Sequence, residues 1–257
     1  MTSPWDPDQY RKFADERSQP FYDLLRLCQP IPGGRAIDLG CGPGELTKVL
    51  HERVAARTTV GLDNSETMLA AAAQHAGKGL TFKLGTIVRF RPAKPFELVF
   101  SNAALQWVDG HELLFPRLWA DLAPGGQLAV QMPANHDHPS HLIAHEVARE
   151  EPFQSWLGGY TRRVPVMPPE WYAELLDGLG ATDLHVRLQV YGHHLQDRLG
   201  VIEWVKGTLL TDYKHRLTDE RYAAYLERYR ERLLSALTES RPYFYPFKRV
   251  LIWARRA

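Results

Sequence analysis

Cysteine is scarce in this chain: its 257 residues include two, Cys28 and Cys41. That count excludes a small secreted scaffold held by disulfides, and both residues read as reduced thiols of a cytoplasmic protein. An excess of either charge is also missing, with 31 Lys and Arg against 30 Asp and Glu. The balance argues against a basic nucleic-acid surface, a polyacidic tail or a membrane-binding stripe. No apolar run approaches the roughly 18 residues that cross a bilayer. The opening Met1-Thr2-Ser3-Pro4-Trp5-Asp6 carries no charged-then-apolar signal region. There is no repeat of fixed period and no low-complexity tract. Aromatics, by contrast, are plentiful, with 7 Trp, 11 Tyr and 10 Phe. The length suits one large α/β domain, or a core domain with a cap.

Strand and helix signals alternate through the first half. Asp6 as cap and Pro7 at the first helical position predict a helix over 7–14. A second is expected from Pro20 to Cys28, with Phe21, Leu24, Leu25 and Leu27 apolar. Short buried runs predict strands at 36–39, 58–63, 80–84, 96–101 and 127–132. Between them, Leu46, Val49, Leu50 and Val54 recur at helical spacing. Asn64-Ser65-Glu66-Thr67 reads as a capped helix start leading to about Gln74, and a helix over 110–123 is expected to stop at Pro124-Gly125-Gly126. Further helices are expected near 140–150 and over 169–179, 197–207 and 219–237, with strands over 184–191 and 245–254. The last strand is expected to run antiparallel to the one before it. This rhythm predicts a Rossmann-like, doubly wound α/β fold with a mostly parallel seven-stranded sheet. The expected organisation is a single domain over 1–257, with an N-terminal helical cap at 1–30. A lid-like insertion at 133–168 and a helical, substrate-side segment at 192–243 complete it.

The densest signal is Asp38-Leu39-Gly40-Cys41-Gly42-Pro43-Gly44 at the end of the first strand. Glycine there lets backbone approach a bound molecule closely. A dinucleotide is a poor fit, because the third glycine of G-x-G-x-x-G is replaced by Glu45 counted from Gly40, or by Thr47 counted from Gly42. A Walker lysine is missing as well. S-adenosylmethionine fits better: Asp38 suits its ammonium group, and Asp63, at the end of the second strand, suits its ribose hydroxyls. Asn64 and Met68 then flank the adenine. Cys41 is explained by its small size in the turn.

On these residues the chain resembles the class I S-adenosylmethionine-dependent methyltransferases, and more narrowly the trans-aconitate 2-methyltransferase family. The narrower resemblance is carried by Trp5-Asp6-Pro7, Ser101-Asn102-Ala103-Ala104-Leu105-Gln106-Trp107, Val130-Gln131-Met132-Pro133 and Glu203-Trp204-Val205-Lys206-Gly207-Thr208. It implies a small-molecule carboxyl methyltransferase with S-adenosyl-L-methionine as cofactor. The cofactor set it implies is Asp38, Gly40, Cys41, Gly42, Gly44, Asp63, Asn64, Met68, Thr86, Asn102 and Ala103. Two departures stand out. Thr86 occupies the place of the family's Asp after the third strand. Leu209-Leu210-Thr211-Asp212-Tyr213 stands where the family continues with Arg-Pro, so a cationic donor for a polycarboxylate is exchanged for an acid.

A carboxylate acceptor is ionised at neutral pH and needs no general base, which fits a chain with no evident triad or carboxylate pair. Gln106 and Trp107 are candidates for positioning the acceptor. Tyr10, Phe13, Arg17, His136, Lys206, Tyr213 and Arg249 are further acceptor-side candidates. An acceptor hydroxyl or nitrogen is the alternative; it needs a base, and His136 is the residue to supply it. A protein that binds the cofactor without transfer is the non-enzymatic alternative. The run Asn135-His136-Asp137-His138-Pro139-Ser140-His141 reads as loop and helix-start chemistry, with no metal expected. The expected partners are a small acid and no nucleic acid or membrane, in a monomer or weak homodimer.

Overall fold

The computed structural model describes residues 14–257, with side chains from Ser18 onward. The helix expected over 7–14, Tyr10 and Phe13 therefore lie outside the described residues, as does the side chain of Arg17. Seven strands form one sheet: β1 (Arg35–Leu39), β2 (Thr58–Asp63), β3 (Leu80–Leu84), β4 (Phe96–Asn102), β5 (Leu122–Pro133), β6 (Ala181–Leu195) and β7 (Tyr243–Arg256). Their order is β3-β2-β1-β4-β5-β7-β6. The first five are parallel, and β7 runs antiparallel to β5. Thr182 bonds the carbonyl of Arg255, and Phe244 lies against Gly192, so β6 and β7 also run in opposite directions.

The helices are α1 (Ala14–Leu25), α2 (Glu45–Arg53), α3 (Glu66–Ala72), α4 (His111–Ala120), α5 (Pro139–Val147), α6 (Phe153–Trp156), α7 (Pro169–Gly178), α8 (Leu199–Lys206), α9 (Thr211–Arg216) and α10 (Asp219–Ala236). The chain divides into two compact units. Among the described residues, one comprises 18–133, 165–189 and 249–257, and the other includes 134–164 and 190–248.

In the first unit, the sheet buries both faces. Ala36, Leu98, Phe100, Ala129 and Trp253 meet Phe21 and Leu24 of α1 and Leu50 of α2. Each large apolar side chain buried this way contributes roughly 1.5–3 kcal/mol. Ser65 starts α3 as expected, its hydroxyl accepting the N–H of Met68. Several boundaries differ from the sequence expectation. α1 begins at Ala14 and carries Pro20 inside it, because Phe21 and Leu24 are held by the sheet rather than by local propensity. α4 ends at Ala120, and β5 already starts at Leu122. Pro124-Gly125-Gly126 is a bulge, not a helix stop: pairing skips from Phe96 opposite Leu122 to Leu98 opposite Gln127.

The second unit has its own core. Trp204, Tyr213, Tyr225, Tyr229 and Tyr245 are buried there with Val147, Val205 and Leu233. Tyr225 and Tyr229 each donate to a carbonyl of α5, those of Ala144 and Ser140. Helix α9 is a six-residue element inside the segment expected to be helical over 192–243, where no separate helix was delimited at these residues. No described helix is long and apolar enough to cross a membrane.

Candidate functional site

The carboxyl ends of β1 and β4 adjoin at the point where strand order reverses, the place where open α/β sheets bind ligands. Asp38 is buried there, with 4% of its surface exposed. Its Oδ2 accepts a 2.6 Å hydrogen bond from Thr47 of α2. Burial pushes its carboxyl up to about 7, the Thr47 hydroxyl opposes that shift, and the nearby Asp63 charge adds to it. Thr47, at one of the positions that disqualified the dinucleotide motif, thus braces the acid; sequence spacing gave no sign of that contact.

Asp63 ties the turn to β2. Its Oδ2 accepts the N–H of Gly42 at 2.9 Å, and its Oδ1 accepts the N–H of Ser65 at 2.9 Å. The N–H groups of Gly40 and Cys41 both donate to the carbonyl of Leu62. The glycines differ in what they permit. Gly40 has φ +82°, and a Cβ there would stand 2.2 Å from the Cβ of Ala104, so its close neighbour is protein. Gly42 has φ +55°, and a Cβ there would meet nothing within 4 Å. Gly44 starts α2 against Phe82 and Ala72. Cys41 is buried, and desolvation raises its thiol far above the reactive range. Asn64 is exposed, Met68 is half-buried, and Thr86 is exposed with its hydroxyl accepting the N–H of Arg89.

Beyond β4, Ala103 adopts φ 54°, and its N–H donates to the carbonyl of Gln131. Gln106 folds back, its Nε2 donating to the carbonyl of Ala103 at 2.6 Å. The buried Oδ1 of Asn102 and Oε1 of Gln106 have no hydrogen-bond partner among the described residues. Trp107 is 37% exposed. The turn 105–107 is anchored by a relay the sequence did not reveal. His111 Nε2 lies 3.0 Å from the carbonyl of Leu105 and must donate to it. His111 Nδ1 then accepts from the Tyr172 hydroxyl at 2.6 Å, and that oxygen accepts the N–H of Met167. Burial lowers the pKa of His111, which keeps the imidazole neutral as this relay requires. Arg249 is 5% exposed, with Nη1 3.5 Å from Gln131 Oε1.

The remaining candidates lie in the second unit. His136 is half-buried, and desolvation lowers its pKa. Lys206 pairs with Glu203 on its own helix at 2.7 Å. Tyr213 is a core side chain, its hydroxyl 3.1 Å from His145 Nδ1 and its ring stacked on Tyr225. Asp212 faces Arg162 at 3.6 Å and accepts from the Tyr160 hydroxyl, so its charge is met locally. His138 caps α5 by accepting the N–H of Ser140. No group of three or more His, Cys, Asp or Glu suited to a metal ion occurs among the described residues.

The set at the ends of β1, β2 and β4 suits a cationic amino acid joined to a nucleoside. It offers two neighbouring carboxyls, a buried acceptor on Asn102 with no partner among the described residues, and open space above Gly42. A methyltransferase-domain family model matches residues 36–126, which span this set. The trans-aconitate 2-methyltransferase of Deinococcus radiodurans is 45% identical, covering 98% of this chain and 98% of that protein. The protein of that name from Variovorax paradoxus is 40% identical, covering 89% of this chain and 88% of its own. Among solved structures, phosphoethanolamine N-methyltransferase 2 of Haemonchus contortus, in complex with S-adenosylhomocysteine, is similar with a TM-score of 0.55 at 18% identity. That likeness covers 93% of this chain and 52% of the other, and it supports the fold. The chain belongs to the trans-aconitate 2-methyltransferase family.

Proposed function

We propose that this protein transfers the methyl group of S-adenosylmethionine to a carboxylate of a small polycarboxylic acid, trans-aconitate or a close analogue, forming a methyl ester. The observation that carries the reading is the buried Asp38 beside Asp63, an acid pair suited to a cationic donor, in a chain 45% identical to a curated trans-aconitate 2-methyltransferase. Asp38 faces the amino end of the donor and Asp63 its ribose. Asn64 and Met68 border the adenine, with Asn102 as a further acceptor. Thr86 is spent on its own turn, so the adenine edge is held without the family's carboxylate at that position.

When bound, the cofactor supplies a methyl group already activated on a sulfonium sulfur. The acceptor carboxylate is its own nucleophile, so the protein's task is placement and exclusion of water. Placement of this kind is worth several kcal/mol, and up to about 7–11 in favourable cases. Gln106 and Trp107, on a turn held by His111 and Tyr172, sit after β4 for that purpose. Arg249 provides the buried cation for a polyanionic acceptor. We take the compartment to be the cytoplasm, in keeping with two free cysteines.

A pH–rate profile at saturating cofactor tests the absence of a base. The expected kcat is flat above the pKa of the acceptor acid. A rise that tracks a histidine and disappears in His136→Ala contradicts the reading.

A further inference from the structure

Gln131 is fully buried at the carboxyl end of β5, and its Nε2 donor has no hydrogen-bond partner among the described residues. Buried amides without partners are rare in folded proteins and call for an explanation. Its Oε1 accepts from Arg249 Nη1 at 3.5 Å, which places the amide beside the guanidinium and leaves the NH2 as its open donor among the described residues. Register places Gln131 directly beside Asn102 of β4 and Leu251 of β7, with Arg249 at the next position on that face, beside Pro133. Asp38 pairs with Phe100, and Phe100 with Ala129, two residues before Asn102 and Gln131. Side chains two apart on a strand share a face. Asp38, Asn102, Gln131 and Arg249 therefore line one face of the sheet at its ligand-binding end.

A primary amide donor beside a buried guanidinium is a donor set for a carboxylate, and guanidinium recognition of that anion is planar and charge-assisted. The reacting carboxylate is the wrong occupant. Its negative charge is consumed as the ester forms, so strong donors on it would stabilise the ground state more than the transition state and slow transfer. A carboxylate that stays ionised throughout gains equally in both states.

Resting on the proposed carboxyl methyl transfer, we infer that Gln131 and Arg249 hold a second, unmethylated carboxylate of the acceptor, and so restrict the enzyme to di- and tricarboxylates.

The test compares trans-aconitate, glutaconate and crotonate, which carry three, two and one carboxylates. Binding of each to the S-adenosylhomocysteine-loaded protein is measured by calorimetry alongside KM and kcat. Gln131→Met, nearly isosteric, should weaken binding and raise KM for the first two acids about 10- to 100-fold. Crotonate binding, kcat and S-adenosylhomocysteine affinity should hardly change. Gln131→Glu keeps a partner for Arg249 and fills the donor site with a like charge, so it should fold and reject the same two acids. Equal loss for all three acids, a loss in kcat rather than KM, or unchanged binding in both variants overturns the inference. The underlying reading fails separately. Wild-type protein that binds glutaconate in a Gln131-dependent way but forms no ester keeps the pair and removes the transfer. Wild-type protein that esterifies the acids while Gln131→Met matches it removes only the pair. Wild-type protein that neither binds nor esterifies any of them removes both.

Discussion

The carboxylate of Asp63 accepts the backbone N–H of Gly42 at 2.9 Å, so the end of β2 holds the glycine turn that follows β1. Asp63 thus shapes the turn, beside the role toward the ribose proposed for it. Asp63→Ala removes both contacts, and cofactor affinity should fall at least about 100-fold. Asp63→Asn keeps one of the two acceptors and loses the charge, so the affinity should fall, but less. Losing hydrogen bonds from two backbone N–H groups to a charged acceptor also costs about 1.5–3 kcal/mol each at most, less in a half-exposed setting. Calorimetry and thermal melting check the two effects separately; equal cofactor affinity in Asp63→Ala and wild type contradicts this placement.

Asp38 should make the stability of the cofactor-free protein depend on pH. Its carboxyl is raised to about 7, whereas the unfolded chain releases that proton near the ordinary aspartate value of about 4. The folded state therefore binds the extra proton between these values, and this contribution to stability falls as pH rises from about 4 to about 7. Asp38→Asn should relieve a penalty of about 2–4 kcal/mol at pH 8 without cofactor, raising the melting temperature while cofactor binding is lost. In the wild type, S-adenosylmethionine affinity should increase with pH between 5 and 7, up to about tenfold per unit. Affinity independent of pH over that range would show that Asp38 does not face the cation.

The two central glycines should separate packing from ligand contact. Gly40→Ala places a Cβ 2.2 Å from Ala104 on backbone at φ +82°, and should destabilise the fold strongly. Gly42→Ala has open space within 4 Å and suffers mainly from φ +55°, at about 1 kcal/mol. It should fold and lose cofactor affinity instead. Chemical denaturation and calorimetry on both variants check the contrast.

Tyr172→Phe removes the donor to His111 Nδ1 and the acceptor for the Met167 N–H. Unmade buried hydrogen bonds of this kind cost about 1–3 kcal/mol. The turn carrying Gln106 and Trp107 should loosen, so kcat should fall several-fold with cofactor affinity preserved. Unaltered kcat would make the relay a purely structural support.

Much of the parallel sheet was legible because its signals are local. Strands β2 and β3 fall on the expected residues, bounded by the Ser65 cap and by Gly79, and Asp63 follows the glycine turn at a readable distance. β5 was misread at its start because Pro124-Gly125-Gly126 has the composition of a helix stop, whereas only the register with β4 reveals a bulge. Helix α9 was not delimited within the helical segment expected over 192–243, because six residues are too short to show apolar periodicity. Thr47, Tyr172 and Gln131 were invisible as site residues. Their partners Asp38, His111 and Arg249 are brought to them by tertiary packing across nine, 61 and 118 positions.

The most direct measurement follows labelled methyl from S-adenosylmethionine into trans-aconitate and glutaconate, with the product then treated with mild base. The account predicts transfer by the wild type, none above background by Asp63→Ala, and release of the label as methanol, as an ester requires. No transfer to any polycarboxylate, or a labelled product stable to base, would contradict it.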